Sequence, residues 1–144
     1  MVAGAIATII ELLGYQRGCP VSMTVSAAEA VPKGTLMKVA NPRTVSAAVL
    51  DVDFFMGVAA EEHKAASGTY STTTMTVYTH GIFEMTSQEA FDAGNRLCLA
   101  VDGNKVKHAD AAVSAENLFS SVGIALETTA ADNERAAVLI GSGF

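Results

Sequence analysis

Three histidines, two cysteines and fifteen carboxylates are the residues with which this chain could do chemistry. The densest group is Glu61-Glu62-His63. Two carboxylates beside an imidazole suit acid–base work or a cation; at a strand end they read more simply as a solvated charge cluster. His80 falls on the outward face of a strand, and His108 follows a hairpin, across from Leu99. None of the three stands at metal-ligand spacing from another His, Cys or carboxylate. Asp51 and Asp53 flank Val52 and so share one strand face, a pair that could bind a cation or simply face water. There is no Gly-x-Ser-x-Gly elbow to expose a nucleophilic serine. Gly141-Ser142-Gly143 has no helix after it to hold a phosphate. Asp102-Gly103-Asn104 opens like a calcium loop but lacks the glutamate at its twelfth position. Cys19 and Cys98 form no Cys-x-x-Cys and read as two buried thiols rather than a disulfide. The sequence thus names no catalytic, metal or cofactor site.

The elements that would have to position such a site repeat. Phe55-Met56-Gly57-Val58-Ala59-Ala60-Glu61 returns as Ser121-Val122-Gly123-Ile124-Ala125-Leu126-Glu127. Apolar residues alternate in both copies, the period of a half-buried strand. Upstream, Pro32-Lys33-Gly34 with the strand Thr35–Ala40 matches Asp92-Ala93-Gly94 with Leu97 and Leu99. Downstream, Val77 to Gly81 is set against Ala137 to Gly141. A turn glycine, a glycine-centred strand and a closing strand therefore occur twice, over about residues 31–85 and 91–144. The simplest architecture is two strand units closing on one shared core. We expect a mainly β fold, a compact β-barrel or β-tulip-like domain from an internal duplication, over residues 20–144. Gly57 and Gly123 are read as devices for curling a sheet.

Other segments follow from local pattern. Val21, Met23 and Val25 alternate with polar residues as a strand, and Val45–Val52 is extended. Residues 62–73 form the main exposed loop. Residues 74–85 are expected as one long strand bent at Gly81, with Met75, Val77, Phe83 and Met85 inward and Thr76, Tyr78 and His80 outward. Ser87–Phe91 suits one helical turn. Asp102-Gly103-Asn104-Lys105 suits a two-residue hairpin placing Val101 opposite Val106. Residues 1–14, within an N-terminal arm or helix spanning 1–19, carry apolar residues at helical spacing. Ile6, Ile9, Ile10 and Leu13 on this arm, with Thr76, Tyr78 and His80, are the candidate interface residues. The arm is too short to span a bilayer and lacks the basic start of a signal peptide. A formal charge of −6 without a basic cluster argues against nucleic acid. Half the residues are apolar, enough to fill a core. What is left is a protein whose function is its surface, with a small-molecule or glycan-binding module centred on loop 62–73 and His63 as the alternative.

The order of motifs resembles the decoration or cement proteins of tailed-phage heads. The carrying residues are Val31-Pro32-Lys33-Gly34, Phe55-Met56-Gly57-Val58-Ala59, Val77-Tyr78-Thr79-His80-Gly81-Ile82-Phe83-Glu84, Phe91-Asp92-Ala93-Gly94-Asn95-Arg96-Leu97, Val122-Gly123-Ile124-Ala125-Leu126-Glu127 and Arg135-Ala136-Ala137-Val138-Leu139-Ile140. They cover about residues 20–141. The resemblance implies a capsid-surface protein of the virion that adds to the assembled major capsid protein lattice, as a homotrimer. It carries over no catalytic residues, and with the readings above we expect no cofactor, no nucleic acid and no membrane.

Overall fold

A computed structural model describes residues 6–11, 20–49, 51–101, 103–109 and 120–141. Eleven strands follow in order: β1 Thr8–Glu11, β2 Val21–Val25, β3 Leu36–Asn41, β4 Thr44–Ala47, β5 Phe55–Ala59, β6 Thr74–Tyr78, β7 Gly81–Thr86, β8 Arg96–Leu99, β9 Val106–His108, β10 Ser121–Ala125 and β11 Arg135–Ile140. Strands β2-β4-β3-β5-β6 close into a five-stranded barrel, and β1-β7-β11-β10-β8-β9 form a six-stranded sheet. The described part is all β.

The two groups are built alike. Met37 stands opposite Gly57 in the first, and Leu97 opposite Gly123 in the second. Ala59 faces Val77, as Ala125 faces Val138. The N–H groups of Gly34 and Gly94 donate to the carbonyls of Ala59 and Ala125 at 2.9 and 2.8 Å. In the first group, β2 meets β4 in parallel at Thr24–Thr44 and Val25–Val45 and closes the barrel. In the second, a single parallel bridge, Ser87–Val106, brings the start of β9 to the end of β7. The sheet thus curls toward the same closed form, with β1 added outside it on β7. The closed barrel has an interior of its own, while the core on the curled sheet takes residues from both groups. Val25, Val31, Met37, Val45, Ala59, Met75 and Val77 fill the first. Phe91, Leu97, Val106, Ala125, Ala136 and Val138 belong to the larger cluster around the second. Leu36, Val58 and Ala48 from the first group join that cluster, so the closed barrel packs on the curled sheet, a second and incompletely closed barrel.

Several expectations change. The helix expected over residues 1–14 does not form in the described part: Thr8–Glu11 is a strand. Thr8, Ile9 and Ile10 favour extended backbone once a sheet edge is offered, and β7 offers one. The long strand 74–85 divides into β6, in the first barrel, and β7, in the second. The chain crosses at Gly81, whose φ of 143° is glycine territory. The repeat's third strands align one residue later than the sequence suggests, Val77 with Val138. Leu99, not Val101, faces Val106, and His108 faces Leu97. Ala100 N–H there donates to Lys105 C=O at 3.0 Å, and Asn104 sits at φ 62°. Ser87–Phe91 makes no helical turn, and β4 ends at Ala47.

Candidate interaction surface

The side chains that could do chemistry are held in structural bonds. His63 is buried, 2% exposed. Its Nδ1 lies 2.6 Å from Glu29 C=O and its Nε2 3.0 Å from Thr72 C=O, so both ring nitrogens are engaged by backbone. Its main chain bridges Val31. The counterpart on the second barrel is Thr129, which bridges Phe91 and donates its hydroxyl to Glu89 C=O at 3.3 Å. A threonine in the same place shows that the position needs a hydrogen-bond donor to this loop. Glu61 accepts from Thr76 N–H, and its repeat Glu127 from Ala137 N–H, each at 2.9 Å. Glu29 and Glu89 likewise accept from Ala47 and His108 N–H, at 2.7 and 3.0 Å. The repeated glutamates thus satisfy strand N–H groups that the ladders leave over. Asp51 pairs with Lys107 at 2.9 Å; Asp53 pairs with Lys38 at 3.1 Å and accepts from Val49 N–H at 2.9 Å. The two aspartates sit in a turn, not on a strand face. Among the described residues, no three His, Cys, Asp or Glu side chains gather where a metal could be held. Cys98 is a buried thiol, and burial pushes its titration up, against the smaller opposing pull of Lys107. Cys19 lies outside the described residues.

The candidate interface residues divide. β1 crosses the junction of the barrels as a strap. Ala7 N–H donates to Gly34 C=O on the first barrel at 2.8 Å. Thr8 and Ile9 pair with Glu84 and Phe83 on the second. The Arg135 guanidinium pairs with Glu84 and donates to Ile6 C=O at 2.8 Å and to Thr8 Oγ1 at 3.1 Å. Ile6 lies over Gly34, where a Cβ would collide with it. Ile6, Ile9 and Tyr78 then line one cavity of about 220 Å³ with Lys33, Val58 and Phe83. The Tyr78 and Phe83 rings are 5.8 Å apart at 47°. These three candidates are used within the chain. Ile10, 54% exposed, is not covered by it. Thr76 is half-buried. His80 is half-buried too, its Nδ1 2.8 Å from Thr79 Oγ1 and its ring against Gly141. Leu13 lies outside the described residues.

Sequence reading missed the second tie across the junction. The Asn104 side chain, 6% exposed, accepts from Leu36 N–H at 2.6 Å and donates to Gly34 C=O at 3.4 Å. Its signal was weak, an asparagine in a turn, and its partners lie nearly seventy residues away in sequence. Also missed was the turn between β4 and β5, where Val49, Val52 and Phe54 stand about half exposed while Asp51 and Asp53 brace the backbone. These bonds tie the two barrels together, and apolar side chains at Val49, Val52, Phe54 and Ile10 stay exposed.

Comparison with known proteins agrees. In fold, the chain is similar to the crystal structure of the N base of head fiber gp8.5 in bacteriophage phi29, with a TM-score of 0.55 and 17% identity. That match covers 85% of this chain and 95% of the other. No curated protein matches the sequence. The family model of phage cement proteins matches residues 15–140. A match over most of its length, on a fold shared with a phage head protein, means that this chain belongs to the phage cement protein family and is a capsid-associated protein of the virion.

Proposed function

We propose that the protein is a capsid decoration protein that binds the assembled major capsid lattice, as a homotrimer, and stabilises the head without catalysing a reaction. The observation that carries this reading is the family match over residues 15–140. It is supported by how the reactive side chains are used. His63, Glu61, Glu127, Asp51 and Asp53 each hold backbone or a neighbouring charge. A cement protein must outlast mechanical load, and a rigid body with spent polar groups suits that task. Modest affinity at each contact suffices, because three linked copies bind together. The exposed apolar tips at Val49, Val52, Phe54 and Ile10 are the contacts we assign to partners. The test uses capsids of the cognate phage assembled without this protein. Added back, it should sediment with expanded capsids and raise the temperature at which they rupture. A strict monomer by light scattering that leaves capsids unprotected would overturn the reading.

A further inference from the structure

The two barrels differ at one matching edge. On the second barrel, Glu84 stands opposite Ala137, whose N–H is taken by Glu127. The main-chain groups of Glu84 therefore point away from β11, and β1 lies on that side, with Thr8 opposite Glu84. On the first barrel, Ser22 stands opposite Thr76, whose N–H is taken by Glu61. The same geometry turns the N–H and C=O of Ser22 away from β6. On that side β4 reaches only Thr24 and Val25. Among the described residues no strand lies against Ser22, and Val21, the counterpart of Phe83, is 40% exposed. One edge is filled and, among the described residues, its twin is open.

We propose that the outer edge of β2 at Ser22 receives an extended segment of the major capsid protein, added as a strand as β1 is added to β7. This rests on the lattice-binding reading above. The commitment to another polypeptide follows from a count. Among the described residues there is one β1 and two edges of this kind, so even exchange of β1 between copies leaves one edge per copy without a described strand. An unpaired edge in a structural protein is a site for strand addition. The incoming segment would exchange backbone hydrogen bonds with Ser22 and set an apolar side chain on Val21, as Ile9 sits against Phe83. It would have no proline opposite Ser22.

The test is hydrogen exchange at the Ser22 amide, in the free protein and on cognate capsids, together with the variant Ser22→Pro. Proline removes the outward N–H but leaves the β2–β6 bonds, which Val21 and Met23 make. We expect rapid Ser22 exchange in the free protein and slow exchange on capsids. Ser22→Pro should weaken capsid binding about tenfold or more, as loss of an edge bond with its neighbours would. Capsid-bound protein whose Ser22 amide still exchanges rapidly would overturn this inference and leave the functional reading intact. So would a Ser22 amide already protected in the free protein, which would mean that this chain or a second copy fills the edge. Wild-type protein that ignores capsids overturns both. If Ser22→Pro fails to fold, the exchange measurement on the wild type decides.

Discussion

Asn104 shows how much one side chain carries at the junction. Its amide reaches from the second barrel to Leu36 N–H and Gly34 C=O on the first, and its backbone sits at φ 62°. Asparagine tolerates that conformation better than most residues. Replacing Asn104 by Gly keeps the backbone free and removes the bonds, which isolates their value. We expect Asn104→Gly to lower unfolding free energy by about 1–3 kcal/mol, the cost of leaving a buried N–H unsatisfied. Urea melts monitored by circular dichroism check this, and an unchanged midpoint would show that Asn104 is not the lock. Cys98 gives a second expectation at this scale. Burial raises its titration, so little thiolate is present at mildly alkaline pH. Iodoacetamide at pH 8 should label Cys98 slowly in the native protein and rapidly in urea, as peptide mapping would read. Equal rates would mean that the core opens around it.

At the scale of elements, the paired glycines are the clearest case. A Cβ on Gly57 would fall on the Tyr78 carbonyl, and one on Gly123 on the Leu139 carbonyl. Both obstacles are backbone of the next strand, so neither can step aside without opening the ladder. Gly94 has φ +91° but open space around it. We therefore expect Gly57→Ala and Gly123→Ala to cost about 3 kcal/mol or more, or to prevent folding. Gly94→Ala should cost about 1–2 kcal/mol, from backbone strain alone. Thermal melts of the three variants test the order, and equal losses at Gly94 and Gly123 would refute it. These glycines were legible in the sequence because each repeats with its strand, and repetition exposes a constraint that a single glycine hides. β1 was not. Its apolar spacing fits a helix as well as a strand, and the deciding influence is the edge of β7, some seventy residues downstream. The Asn104 tie was hidden for the same reason, since a turn sequence shows local geometry and not a distant partner. Glu61 and Glu127 fell between: their repetition was visible, but not that each holds the N–H of a strand.

For the whole molecule, the question is whether two like barrels unfold as two bodies or one. Three ties argue for one. The β1 strap is bonded to Gly34 on one barrel and to β7 and Arg135 on the other. Asn104 bridges the junction, and Lys107 on β9 pairs with Asp51 from the first barrel. The hydrogen bond that Lys107 donates to Asp51 raises the Lys107 titration, the largest of its influences. A raised lysine contributes stability that is fully present below its unfolded pKa and lost as pH rises through the folded value. Replacing Lys107 by Met should therefore flatten the alkaline limb of the stability–pH profile and leave its shape near neutrality unchanged. Both partners are partly exposed to water, so the effect is small. Removing residues 1–11 is the stronger intervention. It uncovers the cavity face of Val58, Tyr78 and Phe83 and deprives Arg135 of Ile6 C=O and Thr8. We expect the intact chain to melt in one transition with equal calorimetric and van't Hoff enthalpies. The truncated chain should melt earlier and, combined with Asn104→Gly, in two separable steps, because Lys107–Asp51 is then the remaining polar tie of the three. A double variant that still melts in one step would place the coupling in the apolar contact of Leu36, Ala48 and Val58 with the second core instead of in the strap.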